Sequence, residues 1–503
     1  MKKREWQEKI KKFMSENRFL VKPFLVMLLI YLVGALAIIL AGVHYADDVA
    51  RTTFGYGGWN GFSRYFSTFF SRILHADTYL TNVAPLPQIL ALVILAVASV
   101  MLVYLVAGKE VLKVKKWGWY IVAAVPLGLT PYMLECLSYQ YDAPYMAISV
   151  LFAILPVCFR DCKKWVYGLA ILISVLVICT SYQAGIGIMV MMFIILAMRD
   201  WSEKRVEDKA VWKTFGFSCV AFLLSLLLFQ QVLMRPRDAY ASNSLPGINE
   251  LIPKFFEHLG QYFSLVFSDF KFWWLLIIGM ISIGFVVMFV LKAKRNKWAA
   301  VLVAVIGGLA IVVLAFAFYA VLDKPLYATR AMYPLGAAIA IFAVYAVSGE
   351  KKAGVLKIPV VILSYCFLVF ALTYGNALKE QDNFRNMVMD MVTSDINELP
   401  MMQDGKTKNV MLRGSVGFSP VILNMPTNYT IMQRLLMPSY SEYVPWMAYK
   451  LTHQSGLHLT VVEGDLEEDE LSILKETVLY NLYGDEENIL VEFKGERAFE
   501  VVF

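Results

Sequence analysis

Long apolar stretches, separated by short polar segments, fill the first 374 residues of the chain. Each has roughly 17 to 25 residues, enough for a helix to cross a hydrocarbon core of ~30 Å. Lipid offers no hydrogen-bond partner to backbone amides, so we expect these stretches to be helical. We predict eleven spans, at about 21–41, 84–107, 117–134, 143–158, 164–180, 183–198, 213–233, 272–291, 299–321, 331–348 and 358–374. The pair that meets near Tyr182 can also be interpreted as one broken element.

Two polar-apolar segments between spans have the period of amphipathic helices. From Phe62 to Leu74, apolar residues recur at i, i+3, i+4, i+7 and i+8, with Ser, Thr and Arg on the opposite face. Such a helix is expected to lie flat in the membrane interface, although packing against the bundle would give the same pattern. A second amphipathic helix is predicted from about Ile248 to Phe267.

Lys and Arg are concentrated in the loops on one side of the predicted bundle. The N-terminal segment and the loops after the even-numbered spans carry most of them, as cytoplasmic loops do. The N-terminus is therefore predicted to be cytoplasmic and the segment after the eleventh span extracytoplasmic, in a bacterial cytoplasmic membrane. The first apolar run is long enough to span and lacks a small-residue cleavage pattern, so no cleavable signal peptide is expected.

Residues 375–503 are expected to form a small α/β domain in which acidic residues outnumber basic ones. A helix is predicted from about Ala377 to Leu399, and strands near 409–412, 459–462 and 489–493. The predicted fold is thus an all-α polytopic membrane bundle of about eleven transmembrane helices with a small external α/β C-terminal domain. The predicted divisions are a cytoplasmic tail (1–20), a transmembrane domain (21–374) and an extracytoplasmic domain (375–503).

Composition supports a membrane protein and argues against other classes. Hydrophobic residues make up 59% of the chain, charged residues only 17%, and the mean hydropathy is +0.59. The net charge of +6 reports topology and gives no support for nucleic-acid binding. No Lys or Arg is expected in the middle of a span, which argues against a voltage sensor or a charge-relay pump.

Cysteine, histidine and glycine patterns indicate neither a metal site nor a nucleotide site. The six cysteines lie in or beside spans, and Cys158 and Cys162 are interpreted as ordinary membrane cysteines rather than a metal pair. The five histidines lack metal-ligand spacing. Gly185 and Gly187 lie in an apolar span, where close helix packing explains them better than a dinucleotide turn. An enzyme of this kind would take its activated substrate from the membrane or the outer space.

Polar residues suited to chemistry cluster at the predicted outer ends of the spans. Asp47 and Asp48, after the first span, are the strongest candidates, because carboxylates at the lip of an apolar bundle are costly unless paired or solvated. The other candidate substrate-binding residues are Arg51, Tyr56, Trp59, Glu135, Tyr139, Asp142, Tyr182 and Gln183. The candidate phosphate-binding residues are Arg330, Lys324 and Arg235. Any one of them alone could be a solvated loop residue; together they indicate a polar cavity.

Glycosyl transfer to a hydroxyl requires these residue types. A base must take the proton of the attacking oxygen, and a cation must stabilise the leaving phosphate. Asp47 or Asp48 suits the first role, and Arg330 suits the second because a guanidinium binds phosphate bidentately. The tyrosines and Trp59 could stack on sugar rings, or they could be belt residues of the membrane interface.

Several segments of the membrane part together resemble the bacterial GtrII-type glucosyltransferases. They are the Asp-Asp pair, FGYGGWNGFSRY, VAPLPQILAL, ECLSYQYDAPYMAIS and SYQAGIG. This group is similar to the multispan glycosyltransferases of the GT-C architecture. The resemblance implies transfer of glucose from undecaprenyl phosphate to a surface polysaccharide on the outer face, with inversion, and maps an acidic residue of the first external loop onto Asp47 or Asp48.

The resemblance leaves the cofactor and part of the chemistry open. Some GT-C enzymes use a divalent metal and others do not, and an Asp-Asp pair permits either. The expected partners are a polyprenyl-phosphate-linked sugar donor, a surface glycan acceptor and membrane lipid, without nucleic acid. A polysaccharide polymerase or ligase would share the topology and the outer-face chemistry. A flippase or transporter of lipid-linked sugars would instead need a continuous polar path, whereas the charges here stop at the outer rim.

Overall fold

Helices dominate the structure. The computed structural model describes residues 17–236, 244–349, 351–423, 425, 428–436, 449–462 and 471–495, so most of the predicted tail 1–20 lies outside the described residues. The α-helices are α1 Val21–Ala41, α2 Asp48–Phe54, α3 Tyr65–Leu74, α4 Leu86–Ala107, α5 Glu110–Lys113, α6 Trp117–Ala124, α7 Pro126–Leu129, α8 Pro131–Ser138, α9 Ala143–Ile154, α10 Lys164–Ser181, α11 Ile186–Ser202, α12 Asp208–Leu228, α13 Ile248–Asp269, α14 Phe272–Lys292, α15 Lys297–Val313, α16 Ala317–Ala320, α17 Pro334–Ala346, α18 Lys357–Asn397, α19 Pro420–Leu423, α20 Met432–Leu435 and α21 Tyr449–Gln454. Short 3₁₀ turns at Trp59–Phe62, Gln183–Gly185 and Thr329–Ala331 lie near the site described below.

Seven helices of the described residues are long and apolar enough to cross a membrane. They are Arg18–Ala41, Leu86–Ala107, Lys164–Ser181, Gln183–Ser202, Asp208–Leu233, Phe272–Lys292 and Gly354–Asn397. A bent pair, Trp117–Leu129 with Pro131–Ser138, brings the number to eight if it is one span. The shorter apolar helices are Ala143–Phe159, Lys297–Val313 and Pro334–Ala346. The protein is therefore a multi-pass membrane protein, while the count of eleven crossings stays a prediction because these three helices are short.

Proline explains the bend in the third predicted span. Thr130 precedes Pro131 and has an extended ψ of 147°, since a residue before proline is disfavoured in the helical region. The two parts meet at 59°. The bend redirects α8, whose end at Ser138 leads directly into the residues that contact Asp48.

Small residues let neighbouring helices approach closely. A Cβ on Gly375 of α18 would collide with the backbone of Ala37 in α1, and a Cβ on Gly187 of α11 would collide with the carbonyl oxygen of Leu314. The packing explanation for the second glycine is thus confirmed. Close backbone approach is the main source of attraction between helices in lipid, where burial of apolar area contributes little.

The C-terminal sheet is built on the extension of α18. With 41 residues that helix is roughly 60 Å long, about twice a hydrocarbon core. Near its C-terminal end, Val388, Val392 and Ile396 are fully buried in the core of the sheet domain at i, i+4 and i+8. The predicted division at Tyr374 falls inside this continuous helix.

The sheet has five strands in the order β2-β1-β5-β4-β3. The strands are β1 Lys408–Ser415, β2 Leu459–Val461, β3 Ser472–Glu476, β4 Tyr480–Gly484 and β5 Asn488–Lys494. Strand β1 pairs in parallel with β2 and β5, and β4 pairs antiparallel with β5 and β3. The predicted helix and three strands are confirmed. Strands β3 and β4 were not predicted, and β3 is an exposed edge strand without a buried face.

Both amphipathic helices leave part of their apolar side exposed and pack the rest on the bundle. In α3, Phe69 is 62% exposed and Ile73 is equally open, whereas Phe66 and Phe70 pack against the core. In α13, Ile248 and Phe256 are exposed, whereas Leu259, Tyr262 and Val266 are buried. The exposed apolar residues are compatible with an interfacial position, and the buried ones show that the helices also pack on the bundle, so the interfacial position stays a prediction.

Candidate functional site

The two adjacent aspartates of the first interspan loop have opposite environments. Gly42, with a left-handed φ of 63°, ends α1, and α2 begins a few residues later at Asp48. The Asp48 side chain is fully buried, whereas the Asp47 side chain is 53% exposed. We call the end of the bundle that carries them the aspartate end.

Asp48 fastens the first loop to the α8–α9 connection. Its carboxylate accepts hydrogen bonds from the backbone N–H groups of Gln140 (2.7 Å), Tyr141 (3.4 Å) and Tyr45 (3.2 Å). Burial raises the pKa of Asp48 well above its usual range, against the opposing effect of the Gln140 N–H. A carboxylate so enclosed has no surface to offer a substrate.

Arg51 links Asp47 to a second carboxylate. Its Nη2 lies 3.3 Å from Asp47 Oδ2 and 3.0 Å from Asp142 Oδ2, and its Nη1 donates to the Gly57 carbonyl. The guanidinium also lies over the Trp59 ring, 4.4 Å from the centroid. Burial lowers the pKa of Arg51, but the surrounding carboxylates outweigh it and the net shift is upward. The arginine is therefore a fixed cation.

Trp59 positions Asp142 rather than facing solvent. The indole is 1% exposed, and its Nε1–H donates to Asp142 Oδ1. Asp142 directly precedes α9, so the acid is held by the loop on one side and by the bundle on the other. These contacts leave Asp47 as the one exposed carboxylate of the Asp47–Arg51–Asp142 network.

A second ion pair joins Glu135 and Arg330. Arg330 Nη1 lies 3.1 Å from Glu135 Oε1, and the Thr329 hydroxyl and the Arg330 backbone N–H both donate to Oε2. Glu135 is buried in α8, and Arg330 is partly exposed. Two residues predicted separately for substrate and phosphate binding thus form one unit.

Tyr139 lies between the two ion pairs. It is buried and packs edge-on against Tyr45, with ring centroids 5.0 Å apart. Burial raises its pKa, Arg330 lowers it, and Glu135, Asp47 and Asp142 raise it further. Charges of both pairs therefore act on this one phenol, and Glu135 and Asp142 lie seven residues apart at the same end of the bundle.

The C-terminal part contributes an arginine that sequence reasoning missed. Arg434 of α20 pairs with buried Asp269 at the end of α13 and donates to the Tyr327 carbonyl, just before the turn that carries Arg330. Tyr132 donates to the same aspartate at 2.8 Å. Burial raises the pKa of Asp269, and Arg434 opposes that shift. The partners are 165 positions apart, so no local pattern could reveal them.

The other predicted residues lie farther from this network. Lys324 and Arg235 are exposed, and no described contact joins either side chain to Asp47 or Arg51. Tyr182 is buried and stacks with Tyr333, centroids 6.1 Å apart, and Gln183 begins a 3₁₀ turn. Tyr56 is 51% exposed and lies in the first interspan loop, just after α2.

The donor set does not suit a divalent metal. No group of three or more His, Cys, Asp or Glu within the described ranges could hold a metal ion. The position between Asp47 and Asp142 that a cation could occupy is taken by the Arg51 guanidinium. We therefore assign no step to a metal.

Fold and site together define a multi-pass membrane protein with a cluster of paired acids and arginines at one end of its helical bundle. Residues 36–341 match the family model described as glucosyl transferase GtrII, more than half of the chain. The chain belongs to this glucosyltransferase family. The match includes Asp47, Asp142, Glu135 and Arg330 but not Arg434.

A curated relative agrees with this assignment over a shorter region. The chain is 30% identical over 144 residues to an uncharacterised 55.3 kDa protein encoded in the gtrB 5′ region of Salmonella phage P22, covering 29% of this chain and 28% of the relative. The chain thus spans less than a third of that protein. No solved structure matches the chain.

Proposed function

We propose that the protein transfers a hexose, glucose by family, from undecaprenyl phosphate to a surface glycan, at the aspartate end of the bundle. The observation that carries the proposal is the exposed Asp47 carboxylate held against the buried Arg51–Asp142 pair, with a second arginine, Arg330, in the same site. Membership of the GtrII family supports the class of reaction.

Asp47 is the proposed base, and Asp48 anchors the loop. A base must reach the hydroxyl proton, and of the two carboxylates only Asp47 is accessible. The contact with Arg51 holds the Asp47 carboxylate in position. Asp142, locked by Trp59, keeps the guanidinium in place when Asp47 takes the proton.

Arg330 is the proposed phosphate contact. A guanidinium carries five N–H donors and binds phosphate in a planar, bidentate manner. The contacts with Glu135 fix its side chain and its backbone N–H together, so the cation is oriented before the donor arrives. Lys324 and Arg235, both exposed, could attract an anionic donor from farther away.

The reaction balances without a covalent enzyme intermediate. The acceptor oxygen forms a bond to the anomeric carbon while the bond from that carbon to the phosphate oxygen breaks. The bonding electrons leave with the phosphate, and Asp47 receives the hydroxyl proton. In-line displacement inverts the anomeric configuration and needs one base, unlike the two-carboxylate hydrolase scheme.

Orientation and domain roles complete the proposal. Lys and Arg in the opposite loops support a position of the aspartate end outside the cytoplasmic membrane, with the N-terminus inside and residues 375–503 outside. Lipid-linked donors are available there, whereas nucleotide sugars are not. In this proposal residues 21–374 form the catalytic domain, and α21 of the C-terminal part contacts the loop that carries Asp47.

Transfer by the purified protein tests the function. Wild-type protein in proteoliposomes should transfer labelled glucose from undecaprenyl phosphate to polysaccharide prepared from a strain lacking the gene. Asp47→Asn should lose at least ~100-fold in rate, in line with the contribution of a general base. Asp77→Asn is the matched control, since Asp77 is an exposed aspartate of the same loop whose turn contacts asparagine can keep.

Product analysis decides between the proposed reaction and its alternatives. Addition of single side-branch residues supports the glucosyltransferase. Lengthening of the chain would identify a polymerase instead. Movement of labelled donor across the membrane without any transfer would identify a flippase, and wild-type rates in Asp47→Asn would remove Asp47 as the base.

A further inference from the structure

Exposed aromatic rings lie in the same interspan loop as Asp47. Phe54, Tyr56 and Tyr79 of the first interspan loop are each more than 40% exposed. Large aromatic side chains left open to solvent in a well-packed loop mark a binding surface more often than a packing error.

The loop backbone is shaped to present these rings. Gly55 ends α2 with a left-handed φ of 64°, and a Cβ there would collide with the Tyr79 ring. The Leu80 N–H donates to the Gly55 carbonyl at 2.8 Å. Tyr79 therefore lies directly over Gly55, and any side chain at position 55 would displace the Tyr79 ring. Gly55 itself stands between Phe54 and Tyr56 in the sequence, so the three rings are neighbours.

The C-terminal part closes one side of this surface. Tyr449 and His453 of α21 pack edge-on against Phe54, with centroids 4.8 and 5.1 Å away. Tyr449 is half-buried and His453 exposed. Burial raises the pKa of Tyr56, Arg51 lowers it, and Asp47 and Tyr449 raise it further. Rings from two distant parts of the chain thus meet beside the exposed carboxylate.

We propose that Phe54, Tyr56 and Tyr79, together with Tyr449 of α21, form a composite subsite that binds a sugar ring of the acceptor glycan. This inference rests on the proposed function, because it places the acceptor where its hydroxyl reaches Asp47. The faces of aromatic rings are electron-rich and attract the weakly positive C–H faces of a pyranose, while phenol hydroxyls can bond to its hydroxyl groups. The C-terminal domain thereby contributes to acceptor choice.

The chemistry of the surface favours a glycan over lipid. The amphipathic helices α3 and α13 present purely apolar side chains such as Phe69, Ile248 and Ile252. The proposed subsite instead combines three tyrosines with the Asp47 carboxylate and the His453 imidazole. That combination of apolar faces and polar tips is typical of sites for ligands that are themselves amphipathic.

Equilibrium binding tests the subsite without requiring turnover. Full-length protein in nanodiscs is titrated with fluorescently labelled oligosaccharides released from the envelope polysaccharide of a strain lacking the gene. Tyr56→Ala and Tyr449→Ala should each raise the Kd about tenfold, the size expected for loss of one stacking ring. Tyr449→Phe should stay within about threefold of wild type. Tyr365→Ala, which removes an exposed tyrosine of α18 remote from the loop, is the control.

Each outcome bears on the subsite separately from the function. Weaker binding in the two alanine variants, with unchanged thermal unfolding, supports it, even if wild-type protein shows no transfer and the proposed function fails. Equal affinity in all variants overturns it even if transfer proceeds. So does a wild-type protein that binds none of the oligosaccharides.

Discussion

The two ends of the bundle both carry a cluster in which an arginine contacts one buried and one exposed carboxylate. At the aspartate end Arg51 holds buried Asp142 and exposed Asp47 together. At the opposite end Asp200 is buried between Arg160 and Arg199, at 2.8 and 3.0 Å.

The opposite cluster is closed by helix ends. Arg199 also donates to the carbonyls of Leu105 and Val106 at the end of α4, where four carbonyls lack partners within their own helix. The charged side chains of this cluster therefore hold α4, α11 and the segment after α9 together. The comparison shows that neither paired charge nor one exposed carboxylate identifies a reactive site, because Arg160 also lies 3.5 Å from exposed Asp161. The proposal for Asp47 therefore rests in addition on the outward orientation proposed for its loop.

The largest expected effect separates the two ends by exchanging one carboxylate at each. Asp47→Asn should lower transfer at least ~100-fold with little change in stability. Asp200→Asn should lower the free energy of unfolding by about 3 kcal/mol, because buried Arg199 and partly exposed Arg160 lose the counter-charge of Asp200, while the folded fraction keeps its turnover. Transfer rates and thermal unfolding in detergent measure both, and a stability loss confined to Asp47→Asn would reverse the comparison.

The next effect concerns the ion pair that joins the C-terminal part to the site. Arg434→Met leaves buried Asp269 without its cation and should cost about 3 kcal/mol. In a double-mutant cycle, Asp269→Asn should recover part of that loss, since it removes the orphaned charge. Strictly additive losses would show that the two side chains do not interact.

A smaller effect is expected at Asp48, the buried member of the adjacent aspartates 47 and 48. Asp48→Asn keeps one acceptor oxygen but loses charge-assisted bonds from three backbone N–H groups, so we expect a cost of about 1–3 kcal/mol. Burial raises the pKa of Asp48, so the protonated form contributes stability at low pH that is lost as pH rises through the folded-state pKa. The free energy of unfolding of the variant should therefore depend less on pH between the ordinary pKa of an aspartate and the raised pKa of Asp48. An unchanged pH profile would argue against the enclosed carboxyl.

The smallest effect tests the exposed apolar faces. A fluorophore attached at Phe69→Cys of α3 should be quenched by lipids brominated near the headgroup, because that position faces away from the bundle. Ser67→Cys, one half-turn away and buried against the protein, is the matched control and should be quenched far less. Equal quenching at the two positions would contradict the interfacial position.

The sequence predicted most of the fold because its signals are local. Apolar length marks the spans, and the strict spacing from Phe62 marks α3, whose apolar residues are partly exposed and partly packed on the bundle. The bend at Pro131 and the short helices around it depend on packing, so the number of crossings could not be counted from hydropathy. The continuation of α18 past residue 374 was hidden by its change from apolar to amphipathic.

The site was predictable in composition but not in roles. Asp47 and Asp48 are adjacent and chemically identical, and only the fold shows that one is exposed and the other anchors the loop. Trp59 was predicted either to stack on a sugar ring or to lie in the membrane interface, but it is buried and its indole positions Asp142. Arg434 is joined to the site by a contact that no spacing rule describes.

Chemical rescue of Asp47→Ala and Asp48→Ala tests the distinction between the two aspartates most directly. Formate added to Asp47→Ala should restore part of the transfer from undecaprenyl-phosphate glucose, because the small carboxylate can enter the exposed position and accept the hydroxyl proton. Formate should not restore transfer in Asp48→Ala, whose defect is in folding of the loop. Rescue of the second variant but not the first, or wild-type transfer in Asp47→Ala without formate, would contradict the account.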